Sequence, residues 1–156
     1  GGLFNLLLLP LSIGSSIVID EPFSGKTFLK FWQTVERFDI NSIWLLPSII
    51  QGLLKIAERF DEKTLRHYGN NIKCAFLGTA PIDLESKKKF IDHFGFSIFE
   101  NFALSETTFL TTETFQNIEN SVEGSTGELL PYVDLKFKEV SVDESKSKSF
   151  EIYAKT

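Results

Sequence analysis

The chain has 156 residues, of which 42% are hydrophobic and 24% charged, with a net charge of −5 at pH 7. That is the make-up of a single globular domain with room for a real core. The acidic balance argues against non-specific nucleic-acid binding, which needs a basic surface to displace counterions. One cysteine, Cys74, excludes an internal disulfide and suits a reducing cytoplasm. The chain opens Gly1-Gly2 without an initiator Met, as expected for a processed chain or a piece of a longer one.

In chain order, Leu3 to Ile19 is strongly apolar, but Asn5, Pro10, Ser12, Ser15 and Ser16 interrupt it and no basic flank precedes it. It falls short of a membrane span of about twenty apolar residues. The expectation is a buried helix over 5–11 and a buried strand over 16–20. After Pro22 and Gly25, Phe28, Phe31, Trp32, Val35 and Phe38 fall on one helical face, with Ser24 as the N-cap. Residues 42–46 read as a short buried strand. Pro47 suits a first helical position, and Ile49, Ile50, Leu53, Leu54, Ala57 and Phe60 form the next apolar face.

Residues 61–71 are polar and read as a connecting loop that carries His67. Residues 72–77 read as a strand with Cys74 as a buried thiol. Asp83 caps a helix with Leu84, Phe90, Ile91 and Phe94 inward and Gly95 as its stop. Lys87-Lys88-Lys89 reads as its solvated face, and His93 near its end is explained by the helix dipole. Strands follow at 97–101 and about 107–112. Residues 116–128 are loop-like. Val133, Leu135 and Phe137 alternate, 141–149 is a polar turn, and Phe150, Ile152 and Ala154 alternate again, which predicts an antiparallel hairpin.

Strands separated by helices predict an α/β fold, a mostly parallel sheet with helices on both faces, followed by that hairpin. Residues 1–131 form the α/β part, and 132–156 belong to a further, incomplete β subdomain. In such sheets ligands gather beyond the carboxyl ends of strands. Gly78-Thr79-Ala80-Pro81 follows one strand, and Phe102 to Glu106 follows the next, so the topology puts both on one rim.

Ser105 and Glu106 are the candidate chemistry. A hydroxyl can donate to a phosphate oxygen, and the adjacent carboxylate supplies a hard oxygen to magnesium. Gly124-Ser125-Thr126-Gly127 invites comparison with a phosphate-cradling loop. Glu128 follows where such a loop needs Lys and a helix, so it reads as a structural turn. The two histidines build neither a metal-ligand spacing nor a Ser-His-Asp set.

Together, Gly78-Thr79-Ala80-Pro81, Phe102-Ala103-Leu104-Ser105-Glu106 and Gly124-Ser125-Thr126-Gly127 with Pro131 resemble, in order, the three motifs of the adenylate-forming (AMP-binding) enzymes. These are the acyl-CoA synthetases, luciferases and peptide-synthetase adenylation domains. Gly1-Gly2-Leu3-Phe4 and the apolar run after it look like the segment that follows the family's acyl-pocket histidine, so the resemblance spans essentially the whole chain.

The resemblance implies that Gly78, Thr79, Ala80 and Pro81 line an adenine pocket, with Thr79 where Gly or Ala is usual. Asn101, Phe102 and Ala103 would continue the nucleotide site, Phe102 standing where a Tyr ring packs on adenine and Ala103 where Gly is common. Ser105 would bind phosphate and Glu106 magnesium. The implied parent is an ATP-dependent carboxylic acid:CoA ligase that uses ATP/AMP, Mg2+ and coenzyme A on a small carboxylic acid. A carrier-protein-loading adenylation domain and a non-catalytic α/β scaffold are the alternatives. The family's triphosphate loop, ribose-binding Asp and catalytic Lys have no matching segment here, so the chain by itself is expected to need the remainder of a parent polypeptide.

Overall fold

The computed structural model describes residues 2–24, 26–120, 122, 124–140 and 149–155. Gly1, Gly25 and most of the expected turn at 141–149 lie outside them. Leu3–Leu8 forms a π-helical stretch that runs into a short helix, α1 (Leu9–Ser12). Its side chains are not buried: Leu3, Phe4, Leu6, Leu8, Leu9 and Leu11 are all exposed. No strand forms over 16–20. This corrects the expectation of a buried helix and strand. An apolar run is buried only where another layer covers it, and this one packs chiefly on itself.

Helix α2 (Phe28–Arg37) buries Trp32 and Val35, while Phe38 beyond its end is exposed. Its N-cap is Thr27, not Ser24, although Ser24 bonds Thr27 reciprocally through N–H to Oγ1 at 2.6 Å. Strand β1 (Ser42–Leu45) leads through Pro47 into α3 (Pro47–Ala57), whose Ile50, Leu53, Leu54 and Ala57 are buried as the 3.6-residue spacing requires. The expected loop at 61–71 is instead α4 (Glu62–Gly69), with Leu65 and Gly69 buried. Asp61 caps it by accepting the Thr64 N–H at 2.8 Å. That bond holds the Asp61 carboxyl below its ordinary range. The signal was present in Asp61-x-x-Thr64 and in Leu65 with Tyr68, but the polar composition masked it.

Strand β2 (Cys74–Leu77) is followed by α5 (Leu84–Phe94), capped by Asp83 at one end and stopped by left-handed Gly95 (φ 81°) at the other. Gln51 of α3 donates to Ser86 Oγ at 2.6 Å and to Asp83 at 3.3 Å, which ties α3 to the start of α5. Strand β3 (Ser97–Leu104) and β4 (Thr108–Thr112) form a hairpin, and β5 (Glu128–Leu129), not anticipated, closes the sheet beside β4.

The sheet order is β1-β2-β3-β4-β5, parallel across β1, β2 and β3 and antiparallel beyond. The mixed α/β fold is as expected, with a more one-sided layering of helices. Residues of α2, α3, α4 and α5 join Leu45, Ala75, Leu77 and Ile98 in a single core cluster. The alternate strand positions carry an aromatic row, with Trp44 stacked on Phe76 at 5.5 Å and Phe76 edge-on to Phe99 at 6.1 Å.

Strands β6 (Asp134–Val140) and β7 (Ser149–Lys155) pair as a separate antiparallel hairpin. Its register sets Phe137 opposite Ile152 and Lys138 opposite Glu151, giving one apolar and one polar face. Among the described residues no helix is long and apolar enough to cross a membrane.

Gly69 lets α4 approach α5 closely, for an added Cβ would collide with the Phe94 carbonyl at the end of α5. Gly69→Ala is therefore expected to cost about 1–3 kcal/mol through overpacking. Urea denaturation checks this, and an unchanged midpoint would show that α4 can shift off α5 freely.

Candidate functional site

Parallel pairing places Leu77 beside Glu100, so Gly78 and Asn101 leave the paired ends of β2 and β3 side by side. Gly78 is buried, whereas Thr79, Ala80 and Pro81 are exposed. Asn101 explains Gly78. Its amide Nδ2 donates to the Leu77 carbonyl at 2.8 Å, and its Oδ1 stands 2.7 Å from where a Cβ on Gly78 would sit. Only glycine fits against that buried amide. Thr79 then adopts φ 77°, the left-handed region that disfavours a β-branched side chain. The turn is thus strained, open and small-sided, a surface on which a flat group can lie close to backbone.

Strand β3 does not end at Asn101. It continues through Phe102, Ala103 and Leu104, with a register irregularity between Phe102 and Ala103. Phe102 to Leu104 are therefore hairpin-strand residues rather than a loop. Only Ser105, Glu106 and Thr107 form the tip, closed by the Thr107 N–H to the Leu104 carbonyl at 3.3 Å and followed by Thr108 at φ 58°. Ser105 and Glu106 are adjacent and exposed, and among the described residues neither side chain makes a hydrogen bond or ion pair. A free hydroxyl beside a free carboxylate fits part of a phosphate–magnesium site. One carboxylate does not make a metal cage, and no cluster of three or more His, Cys, Asp or Glu able to hold a metal occurs among the described residues. A magnesium ion bound here would take its remaining ligands from phosphate oxygens and water.

Lys87 corrects the reading of the lysine run as a wholly solvated face. Lys88 and Lys89 are exposed, but Lys87 points at the sheet. Its Nζ donates to Glu100 Oε1 at 2.8 Å and to Glu113 Oε2 at 2.9 Å, with side-chain exposures of 12%, 14% and 1% for Lys87, Glu100 and Glu113. Glu113 Oε2 also accepts the Glu100 N–H at 2.8 Å, and the Glu113 N–H donates to the Glu100 carbonyl at 2.8 Å. The signal for Lys87 lay in its spacing, because Lys87, Phe90, Ile91 and Phe94 share one helical stripe. Nothing local marked Glu113.

Cys74 is buried, and burial pushes its thiol above the ordinary range, so it is unsuited to act as a nucleophile. His67 lies on α4, 3.6 Å from Glu36, with both groups exposed. His93 lies in the last turn of α5. Gly127 (φ 88°) packs so tightly on the backbone of Thr112 and Glu113 that a Cβ would collide, and Thr126 Oγ1 meets Thr111 Oγ1 at 2.7 Å. The 124–127 segment thus docks β5 onto β4. A groove between α3, α4 and α5, lined by Phe60, Arg66 and Lys89 among others, contains none of the candidate residues.

The family model described as AMP-binding enzyme matches residues 1–148. The chain belongs to the AMP-binding, adenylate-forming enzyme family. A comparison with curated protein sequences finds no match. Solved structures agree on the fold. O-succinylbenzoate Coenzyme A Synthetase from Bacillus subtilis, in complex with ATP and magnesium ion, aligns with 21% identity and TM-score 0.67 over 96% of this chain and 29% of that one. MatB from Rhodopseudomonas palustris aligns with 19% identity and TM-score 0.73 over 88% and 25%. The anthranilate CoA ligase AuaEII, in complex with anthranoyl-AMP, aligns with 15% identity and TM-score 0.74 over 99% and 29%. The chain therefore spans about a quarter of the length of the solved relatives it matches.

The strain at Thr79 yields a test. A left-handed non-glycine residue costs about 1–2 kcal/mol, and glycine returns about 0.5–1 kcal/mol of that as unfolded-chain entropy. Thr79→Gly should therefore stabilise the fold by about 0.5–1 kcal/mol. A lower urea midpoint instead would mean that the Thr79 side chain makes a stabilising contact.

Proposed function

We propose that this chain is the central part of a larger ATP-dependent carboxylic acid:CoA ligase. The observation that carries the reading is an arrangement on adjacent parallel strands in a chain of the AMP-binding family: the small-residue turn at Gly78–Pro81 follows β2, and the exposed Ser105–Glu106 pair follows β3 at the hairpin tip. In this reading 1–131 is an α/β subdomain, and 132–156 is the first hairpin of a β subdomain completed elsewhere in the parent. The exposed apolar face with Phe137, Phe150 and Ile152 supports that division. The parent would work in the cytoplasm.

The adenine ring would lie on Gly78, Thr79, Ala80 and Pro81, with Phe102 and Ala103 beside it. Asn101 would shape the turn from behind. Ser105 would donate to an ATP phosphate oxygen, and Glu106 would hold magnesium together with the phosphates. The metal supplies Lewis-acid stabilisation of charge on phosphoryl oxygens. The carboxylic acid would be activated as acyl-adenylate and then transferred to coenzyme A.

Two outcomes are expected. The 156-residue chain alone should show no ATP–pyrophosphate exchange. Each missing preorganised electrostatic group costs about a hundred- to a thousandfold in rate. Exchange at rates typical of an intact enzyme would overturn this.

In the parent, Glu106→Gln should slow adenylation far more than thioester formation from supplied acyl-adenylate, whose leaving group no longer needs the metal. Ser105→Ala should be milder, losing about 1.5–3 kcal/mol for a hydrogen bond to a charged partner. Equal losses in both half-reactions, measured in single turnovers with the fold intact, would remove Glu106 from the metal role.

A further inference from the structure

Glu100 and Glu113 face each other at the base of the β3–β4 hairpin, joined by backbone hydrogen bonding and both withdrawn from water. Like charges directly opposed across a sheet repel. The Lys87 ammonium sits between them at 2.8 and 2.9 Å and offsets that repulsion. Apolar side chains of similar volume would hold the same three positions together at least as well. What the ions add is direction. Two short charge-assisted bonds allow little sideways movement, whereas apolar contacts slide.

The position of Lys87 gives that rigidity a use. It lies in the first turns of α5, the helix that begins just after the Gly78–Pro81 turn. Glu100 and Glu113 lie at the base of the hairpin whose tip is Ser105–Glu106. We infer that Lys87 is a positioning residue: its bonds to Glu100 and Glu113 set where the hairpin presents Ser105 and Glu106 relative to the Gly78–Pro81 turn. The inference rests on the proposed phosphate and metal roles of that pair. Ser105 lies about 17 Å along the strand from Glu100 at about 3.4 Å per residue. A tilt of only about 3–4° at the base moves such a tip by about 1 Å, and a misplacement of that size can cost about a hundredfold in rate.

The test compares Lys87→Met, Lys87→Arg and Glu106→Gln in the full-length protein that carries this segment, by amide hydrogen exchange and by ATP–pyrophosphate exchange kinetics. Lys87→Met should speed amide exchange over 102–112 by about tenfold or more while α3 and β2 stay protected. It should also lower kcat by about tenfold or more, with KM for the carboxylic acid within about twofold. Lys87→Arg, which can bond both carboxylates, should restore most of both. Where Lys87→Met does not fold, Glu113→Gln is read in the same way.

Unchanged exchange over 102–112 overturns the inference. So does an equal loss of protection in α3 and β2, the mark of a purely structural charge. Glu106→Gln separates the two readings. If it leaves adenylation intact, the metal role of Glu106 falls, and the exchange pattern of Lys87→Met still decides whether Lys87 fixes the hairpin.

Discussion

Everything at the candidate site depends on the in-register pairing of β1, β2 and β3, beyond which β3 alone runs on from Asn101 to Leu104 into the hairpin that carries Ser105 and Glu106. The in-register pairs Ile43–Ala75–Ile98 and Leu45–Leu77–Glu100 bring two segments far apart in sequence to one rim. On the helix side the alignment is held by an apolar layer in which Ile50, Leu53, Phe90 and Phe94 join Leu45, Ala75, Leu77 and Ile98 in one cluster. A slip of one residue would turn every one of these strand side chains to the opposite face. The core therefore fixes the register, and the register fixes the site.

Polar contacts refine what the core positions. Asn101 bonds the Leu77 carbonyl and leaves room only for glycine at 78, so the turn departs at one angle. Gln51 ties α3 to the cap of α5. Lys87 joins α5 to both arms of the hairpin. Each contact bridges two elements that hydrophobic packing alone would leave free to slide. The strain at Thr79 and Thr108 falls at the turn and beside the tip, where a backbone must be held in an unfavourable conformation by its surroundings.

Two apolar surfaces stay outside this economy of packing. Leu3, Phe4, Leu6, Leu8, Leu9 and Leu11 are exposed, and the β6–β7 hairpin shows Phe137, Phe150 and Ile152 to solvent. Contiguous apolar patches of this kind mark contact surfaces. They accompany a chain that spans about a quarter of its solved relatives.

The sequence by itself determined the elements whose residues repeat with a clear period. The stripes of α2, α3 and α5, the Asp83 cap, the Gly95 stop and the strands β1, β2 and β3 were legible, because each depends on neighbours within a turn or two. The three motif segments were legible for the same reason, and with them the family. What escaped depends on contacts between distant residues. Helix α4 is polar in composition, and its Leu65 and Gly69 are buried only because the helix packs on α5 and α2. Leu3–Leu11 reads as core but finds no covering layer. Strand β3 runs past Asn101 because β4 folds back to pair with it. Lys87 reads as solvated until Glu100 and Glu113 are brought together by strand pairing. A local pattern states what a segment can be; only the tertiary structure decides which of its faces, charges and backbone groups find a partner.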